Sequence, residues 1–193
     1  MAVSVGTIAP SFQLRGAHGR DVALEDYRGR RHVVVWFSKG MACPFCRHQM
    51  SQLSIAYPRL RGLNAEVVHI TPTPVDRARM YARRFRLDFP YLSDPTFATW
   101  TAWGLALRPR SGRFLRHPDH TPPSSFGSVQ GSLWEWSQVI SEEDGGFFIV
   151  DQAGIVRHAQ GSSYYSRGWK IPSIEIIVRV LDQCERDAAV VRD

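Results

Sequence analysis

Two cysteines stand three positions apart in Met41-Ala-Cys-Pro-Phe-Cys46, and they carry the chemistry that this sequence makes most legible. A C-x-x-C pair either cycles between dithiol and disulfide or holds a metal. Residues three apart across a first helical turn have Cα atoms about 5–6 Å apart, inside the disulfide range. The bond can open and close with little backbone movement. A helix N-terminus adds unpaired N–H groups and partial positive charge, which favour a thiolate over a thiol. Cys43, at the helix mouth, is expected to be the more exposed thiol and the attacking one. Cys46, one turn in, is expected to be the more buried and to resolve. Two plainer readings compete. One is a reduced core pair with no task. The other is a zinc site completed by His117 and His120 from an irregular segment.

The elements that must position this pair are visible in the patterning. His32 to Phe37 is a continuous β-branched and aromatic run, as in a strand buried on both faces. Ser38-Lys-Gly40 is a turn. Pro44 suits a first helical turn, where its missing N–H costs nothing. Cys46, Met50, Leu53, Tyr57 and Leu60 then follow one helix face, and Pro58 is expected to kink or shorten that helix. Ala65 to Ile70 reads as a second buried strand and Val75 to Phe85 as a helix with its arginines outside. Phe89 to Leu92 leads into a turn at Ser93-Asp-Pro95, and Phe97 to Trp103 is a short helix. Ser11 to Leu14 and Asp21 to Leu24 form an N-terminal hairpin. Gly146 to Asp151 and Ile155 to Ala159 form another, expected at an antiparallel edge. The last helix spans roughly 171–188, with Ile174, Ile177, Val178, Leu181 and Cys184 on one side. Residues 105–144 have no sustained period and read as an irregular insertion.

Composition bounds the rest. The chain has 193 residues, 44% hydrophobic and 22% charged, and a net charge of +6. That suits one globular domain over residues 1–193 and excludes collagen-like, coiled-coil and disordered classes. No apolar run approaches the ~18 residues of a membrane span. The N-terminus does not read as a signal peptide, so the cytoplasm is the expected compartment. With three cysteines and no secretory signal, a disulfide framework is not expected. Arg77, Arg79, Arg83, Arg84 and Arg86 read as a solvated helix face, and no nucleic-acid motif accompanies them.

The chain resembles the peroxiredoxin-like branch of the thioredoxin superfamily, the AhpC/TSA-type redoxins. The residues that carry the likeness are Gly6 to Leu14, Val22 to Gly29, Val33 to Phe37, Val67 to Thr71, Phe89 to Pro95 and Phe147 to Asp151 with Gly154. The resemblance implies an α/β thioredoxin-like fold. Its mixed central sheet is flanked by helices, with the N-terminal β-hairpin and a long insertion before the last hairpin. It also implies a thiol-based enzyme without metal or organic cofactor. The family pattern Pro-x-x-x-Thr-x-x-Cys falls on Lys39, Cys43 and Cys46, so cysteine stands where the family has threonine. The family arginine falls on Gly145. Threonine and arginine stabilise the charge that develops as a peroxide O–O bond breaks. The thioredoxin cis-proline position reads Asp144-Gly145-Gly146, where glycine lets a partner backbone approach closely.

The expected reaction is therefore thiol–disulfide exchange, with Cys43 attacking and Cys46 resolving. Peroxide reduction through Cys46 or Cys43 is the alternative, and a non-catalytic redox-sensing binding module is a third. Lys39 and Arg47 are expected to favour a thiolate, Pro44 to start the helix, and Thr71 and Gly145 to border the site. Arg108, Arg110, Arg113 and Arg116 are candidate substitutes for the family arginine. Trp134 and Trp136 are candidates for a lid or partner surface. The expected partners are a thioredoxin- or glutathione-type thiol reductant and a disulfide or hydroperoxide substrate. A second copy of the chain is a candidate partner; nucleic acid and membrane are not expected.

Overall fold

A computed structural model of the chain describes residues 3–41, 43–105, 144–163 and 171–190. Seven strands form one mixed sheet: β1 (Gln13–Gly16), β2 (Asp21–Ala23), β3 (His32–Phe37), β4 (Ala65–Thr71), β5 (Tyr91–Ser93), β6 (Asp144–Val150) and β7 (Val156–Ser163), in the order β2-β1-β5-β4-β3-β6-β7. The helices are α1 (Pro44–Gly62), α2 (Val75–Phe85), α3 (Ala98–Ala102) and α4 (Ile174–Val190).

The β-branched run of β3 and the apolar run of β4 pair in parallel at the centre of the sheet, and all thirteen of their residues are buried. Such strands must be covered on both faces, because each carries apolar side chains up and down. One face packs Val34, Trp36, Val67 and Phe147 against α1, α2 and α4. The other packs Val35, Phe37, Val68 and Phe148 against Trp100 and Trp103. Phe37 meets Trp100 edge-on at 5.0 Å, an arrangement that aromatic quadrupoles favour.

Several expectations change. The helix after the cysteines is not shortened by Pro58; α1 continues through it to Gly62. Pro58 lies exposed near the helix end, while Leu53 and Leu60 on either side are fully buried and hold the helix to the sheet. Residues 91–93 form a strand rather than the approach to a turn. Three residues are too few for an alternation signal, and β5 exists because β4 and β1 both pair with it. The 146–159 hairpin does not lie wholly at an edge. β6 pairs antiparallel with β3, and only β7 is the edge. β7 also runs on to Ser163, pairing there with Asp144. Of the segment expected to be irregular, 105–144, only the two end residues are described. Asp144 belongs to β6, and Leu105 is buried on the sheet. Gly146 and Gly161 make room for that leucine: a Cβ at either would stand 2.8 or 2.9 Å from it. At Gly146 the side chains of Phe148 and Leu105 both pack against the bare backbone. Residues 106–143 lie outside the described residues. With them lie His117 and His120, the insertion arginines, and Trp134 and Trp136.

Candidate active site

Cys43 and Cys46 sit where β3 hands the chain to α1. Cys43 is the N-cap residue of α1, with extended backbone, and Pro44 follows at the first helical position. No side chain caps the helix by a hydrogen bond. The residue at this position begins the helix, where unpaired N–H groups and the helix dipole favour a thiolate over a thiol. The helix is tied to its entry turn by Cys43 N–H donating to Gly40 O at 3.2 Å and Arg47 N–H donating to Cys43 O at 3.0 Å.

Both cysteines are free thiols and both are buried. Cys43 is 5% exposed and Cys46 not at all. Cys43 is thus the more exposed of the two, as expected, although both thiols lie inside the protein. Met41, fully buried, belongs to the same apolar cluster as the cysteines. The Cys43 thiol is in hydrogen-bond contact with Cys46. Burial pushes the Cys46 thiol well above its ordinary range, and the neighbouring Cys43 pushes it the same way. Lys39 and the Ser38 hydroxyl pull it down. Lys39 is itself buried at the end of β3, so its charge is poorly screened by solvent.

Beneath the cysteines the sheet presents two rows. Register aligns Phe147, Trp36, His69 and Tyr91 across β6, β3, β4 and β5. All four are fully buried. Trp36 stacks on His69 with ring centroids 3.9 Å apart and planes 9° apart, and Tyr91 lies 4.9 Å from the same imidazole. Two positions further along each strand comes a polar row, Ser38, Thr71 and Ser93. Ser38 Oγ and His69 Nε2 are 2.5 Å apart, and Gly40 N–H donates to Ser38 Oγ at 3.0 Å. The Tyr91 hydroxyl donates to Thr73 Oγ1 at 3.1 Å and also bonds Thr71.

The sequence-expected residues are not all gathered here. Lys39 acts on Cys46, Pro44 follows Cys43 at the head of α1, and Thr71 ends β4 bonded to the Tyr91 hydroxyl. Arg47 is on α1, half-buried, with Nη2 unpartnered among the described residues. The cation that acts most on Cys46 is Lys39 rather than Arg47. Gly145 lies in β6, one position beyond the Gly146–Phe37 pair. It is therefore at the same end of the sheet as the cysteines, without a side chain to offer. Sequence reasoning missed Ser38, His69 and Tyr91. One signal was present: a lone polar residue, His69, in the otherwise apolar Val67-Val-His-Ile70, at the right parity to share a face with Thr71. Among the described residues no cluster of three or more His, Cys, Asp or Glu is placed to hold a metal ion.

The fold and this site define the class: a redoxin with a peroxiredoxin-type body and a C-x-x-C dithiol at the first sheet-to-helix junction. The AhpC/TSA family model matches residues 5–159. The chain belongs to that family. The chloroplast peroxiredoxin Q of Oryza sativa subsp. japonica is 32% identical over 162 residues, which are 84% of this chain and 61% of that protein. The chain thus spans about three-fifths of the length of the curated relatives it matches. The crystal structure of peroxidoxin BcpB from Mycobacterium tuberculosis superposes with a TM-score of 0.65 at 18% identity, covering 95% of this chain and 97% of that one. The reduced 2-Cys peroxiredoxin of Plasmodium vivax gives 0.64 at 16%, covering 96% and 98%. These structures establish the thioredoxin-like fold.

Proposed function

We propose that the protein is a thiol-dependent oxidoreductase that cycles between the Cys43–Cys46 dithiol and its disulfide. The observation that supports this most is the contact of two free thiols at an uncapped helix N-terminus. Cys43, at the N-cap, attacks one sulfur of a substrate disulfide as thiolate and releases the other half as a thiolate. Cys46 then attacks Cys43 in the mixed disulfide, forms the Cys43–Cys46 bond and releases the second half. Two electrons have reached the substrate. An external thiol of thioredoxin or glutathione type returns them. No metal or organic cofactor enters these steps. Cys43 is only 5% exposed, so its neighbours must give way for the first attack.

A second reading has its own support in the peroxiredoxin relatives. In it Cys43 or Cys46 reduces a hydroperoxide to an alcohol and becomes a sulfenic acid. The other cysteine then condenses with it, releasing water. Against it stand Cys43 and Gly145 at the positions of the family threonine and arginine.

Stopped-flow tryptophan fluorescence separates the two, since Trp36 packs in the same cluster as both cysteines. Reduced protein is mixed with hydrogen peroxide or with a small disulfide. The expected outcome is a fast phase with the disulfide that Cys43→Ser abolishes, while Cys46→Ser accumulates the mixed disulfide. With peroxide, a rate no greater than that of a free thiol is expected. A fast, concentration-dependent peroxide phase lost in Cys43→Ser or Cys46→Ser would instead assign the peroxidase reaction.

A further inference from the structure

We propose that Ser38 and His69 form a buried relay that takes the proton from the Cys46 thiol as that sulfur attacks the mixed disulfide. The inference rests on the dithiol cycle above and assigns the base for its second step.

The geometry is a chain of three groups. Cys46 contacts the Ser38 hydroxyl, and Ser38 Oγ lies 2.5 Å from His69 Nε2. Gly40 N–H, donating to Ser38 Oγ at 3.0 Å, fixes the hydroxyl between the other two. With the imidazole proton on Nδ1, Nε2 accepts the Ser38 hydroxyl proton and Ser38 Oγ accepts from the Cys46 S–H. As the Cys46–Cys43 bond forms, the thiol proton moves to Ser38 and the Ser38 proton moves to His69. The electron pair left on sulfur makes the new S–S bond, and the pair of the broken bond leaves with the substrate thiolate. The proton then returns from His69 through Ser38 to that thiolate, so protons and electrons balance.

Burial makes such a relay necessary. Cys46 is sealed from water, so solvent cannot take its proton, and a thiolate standing alone there is disfavoured. Transfer concerted with bond formation avoids that species. The imidazole is prepared for transient charge. Its ring lies flat on the Trp36 indole at 3.9 Å, the face that best stabilises a cation, and Tyr91 flanks it. Nδ1 has no hydrogen-bond partner among the described residues. A buried histidine kept only for packing would more often have both nitrogens satisfied. The titratable groups around the relay are Cys43 and Cys46 from α1, Lys39 from the entry turn and Tyr91 from β5. Burial holds His69 neutral at rest, which leaves the Nε2 lone pair free, and the same burial keeps any imidazolium short-lived. Ser38 touches the reacting thiol; His69 acts through Ser38 as a positioning residue.

The test uses an aromatic disulfide, dithiobis(nitrobenzoate), in a single turnover of the reduced full chain. Its first coloured thiolate reports attack by Cys43 and its second reports resolution by Cys46. The Cys43→Ser/Cys46→Ser double variant subtracts any signal from Cys184. At pH 7, His69→Gln and Ser38→Ala should slow the second phase by roughly 10²-fold, the ordinary worth of a general base, and leave the first within twofold. The deficit should shrink as pH rises and the thiol ionises unaided. Ser38→Thr, which keeps the hydroxyl, should restore the rate. A second phase unchanged in both variants, slowed equally at every pH, or slowed together with the first overturns the relay. If circular dichroism shows His69→Gln unfolded, the Ser38→Ala and Ser38→Thr pair decides alone. A wild-type chain that halts at the mixed disulfide with no second phase overturns the dithiol cycle itself, and that outcome is distinct from failure of the relay.

Discussion

Gly40 shows how narrowly the entry to the site is built. Its φ is +90°, a region that side chains with a Cβ rarely adopt. A Cβ there would also stand 2.5 Å from Thr73 Oγ1 and 3.2 Å from the Tyr91 hydroxyl. Gly40→Ala should therefore cost about 2 kcal/mol or more in urea unfolding, because backbone strain and the clash add. The same substitution moves the N–H that holds Ser38, so it should also slow Cys46 resolution. A variant as stable as wild type would show that the turn relaxes freely. Neither the strain nor the clash is visible in Ser38-Lys-Gly40 as text. Glycine there announces a turn, and only the partner loop from Thr71 to Thr73 makes it obligatory.

At the scale of the element, α1 carries the site and is held by its buried stripe. Leu53 and Leu60 are fully buried and Met50 nearly so. Leu53→Ala should cost about 2–5 kcal/mol, the usual range for a truncated core leucine. Pro58 is exposed on the opposite side of the same helix and removes a backbone donor from its interior. Pro58→Ala should stabilise the protein by about 1–3 kcal/mol, read as an increase in urea midpoint with unchanged slope. The local rule for proline correctly identifies a cost. It fails as a boundary because the apolar stripe on either side of Pro58 gains more from the sheet than one missing hydrogen bond loses. The same competition explains β5, whose three residues carry little signal of their own and are strand because two neighbours pair with them.

For the whole molecule, buried titratable groups set a pH window. His69, His32 and His158 are all pushed below the ordinary histidine value of 6.5, chiefly by burial. On unfolding they regain their normal proton affinity, so acid favours the unfolded chain. Their contribution is fully present above about 6.5 and is lost as pH falls below it. On the basic side burial pushes Cys46 upward from 9.0 and Cys184 up to about 11. The folded protein keeps protons that the unfolded chain releases, so stability is full below about 9 and falls as pH rises beyond it. The reduced protein should be most stable between these limits in urea unfolding at a series of pH values. His69→Gln should flatten the acid side and Cys46→Ser the basic side. An acid side unaltered by His69→Gln would mean that the buried imidazole does not govern it.

Patterning by itself determined the buried strands at 32–37 and 65–70, the helix at 75–85, the α1 stripe and the dithiol at the head of that helix. These rest on contiguous residues, where side-chain period and the chemistry of a C-x-x-C pair are written directly. Only the tertiary structure decided what surrounds the dithiol. Ser38 follows β3, His69 lies in β4 and Tyr91 in β5, and their meeting depends on register, which neighbouring residues in the chain do not encode. The burial of both cysteines was likewise decided by packing, since they fall in one apolar cluster with Trp36, Met41 and Met50.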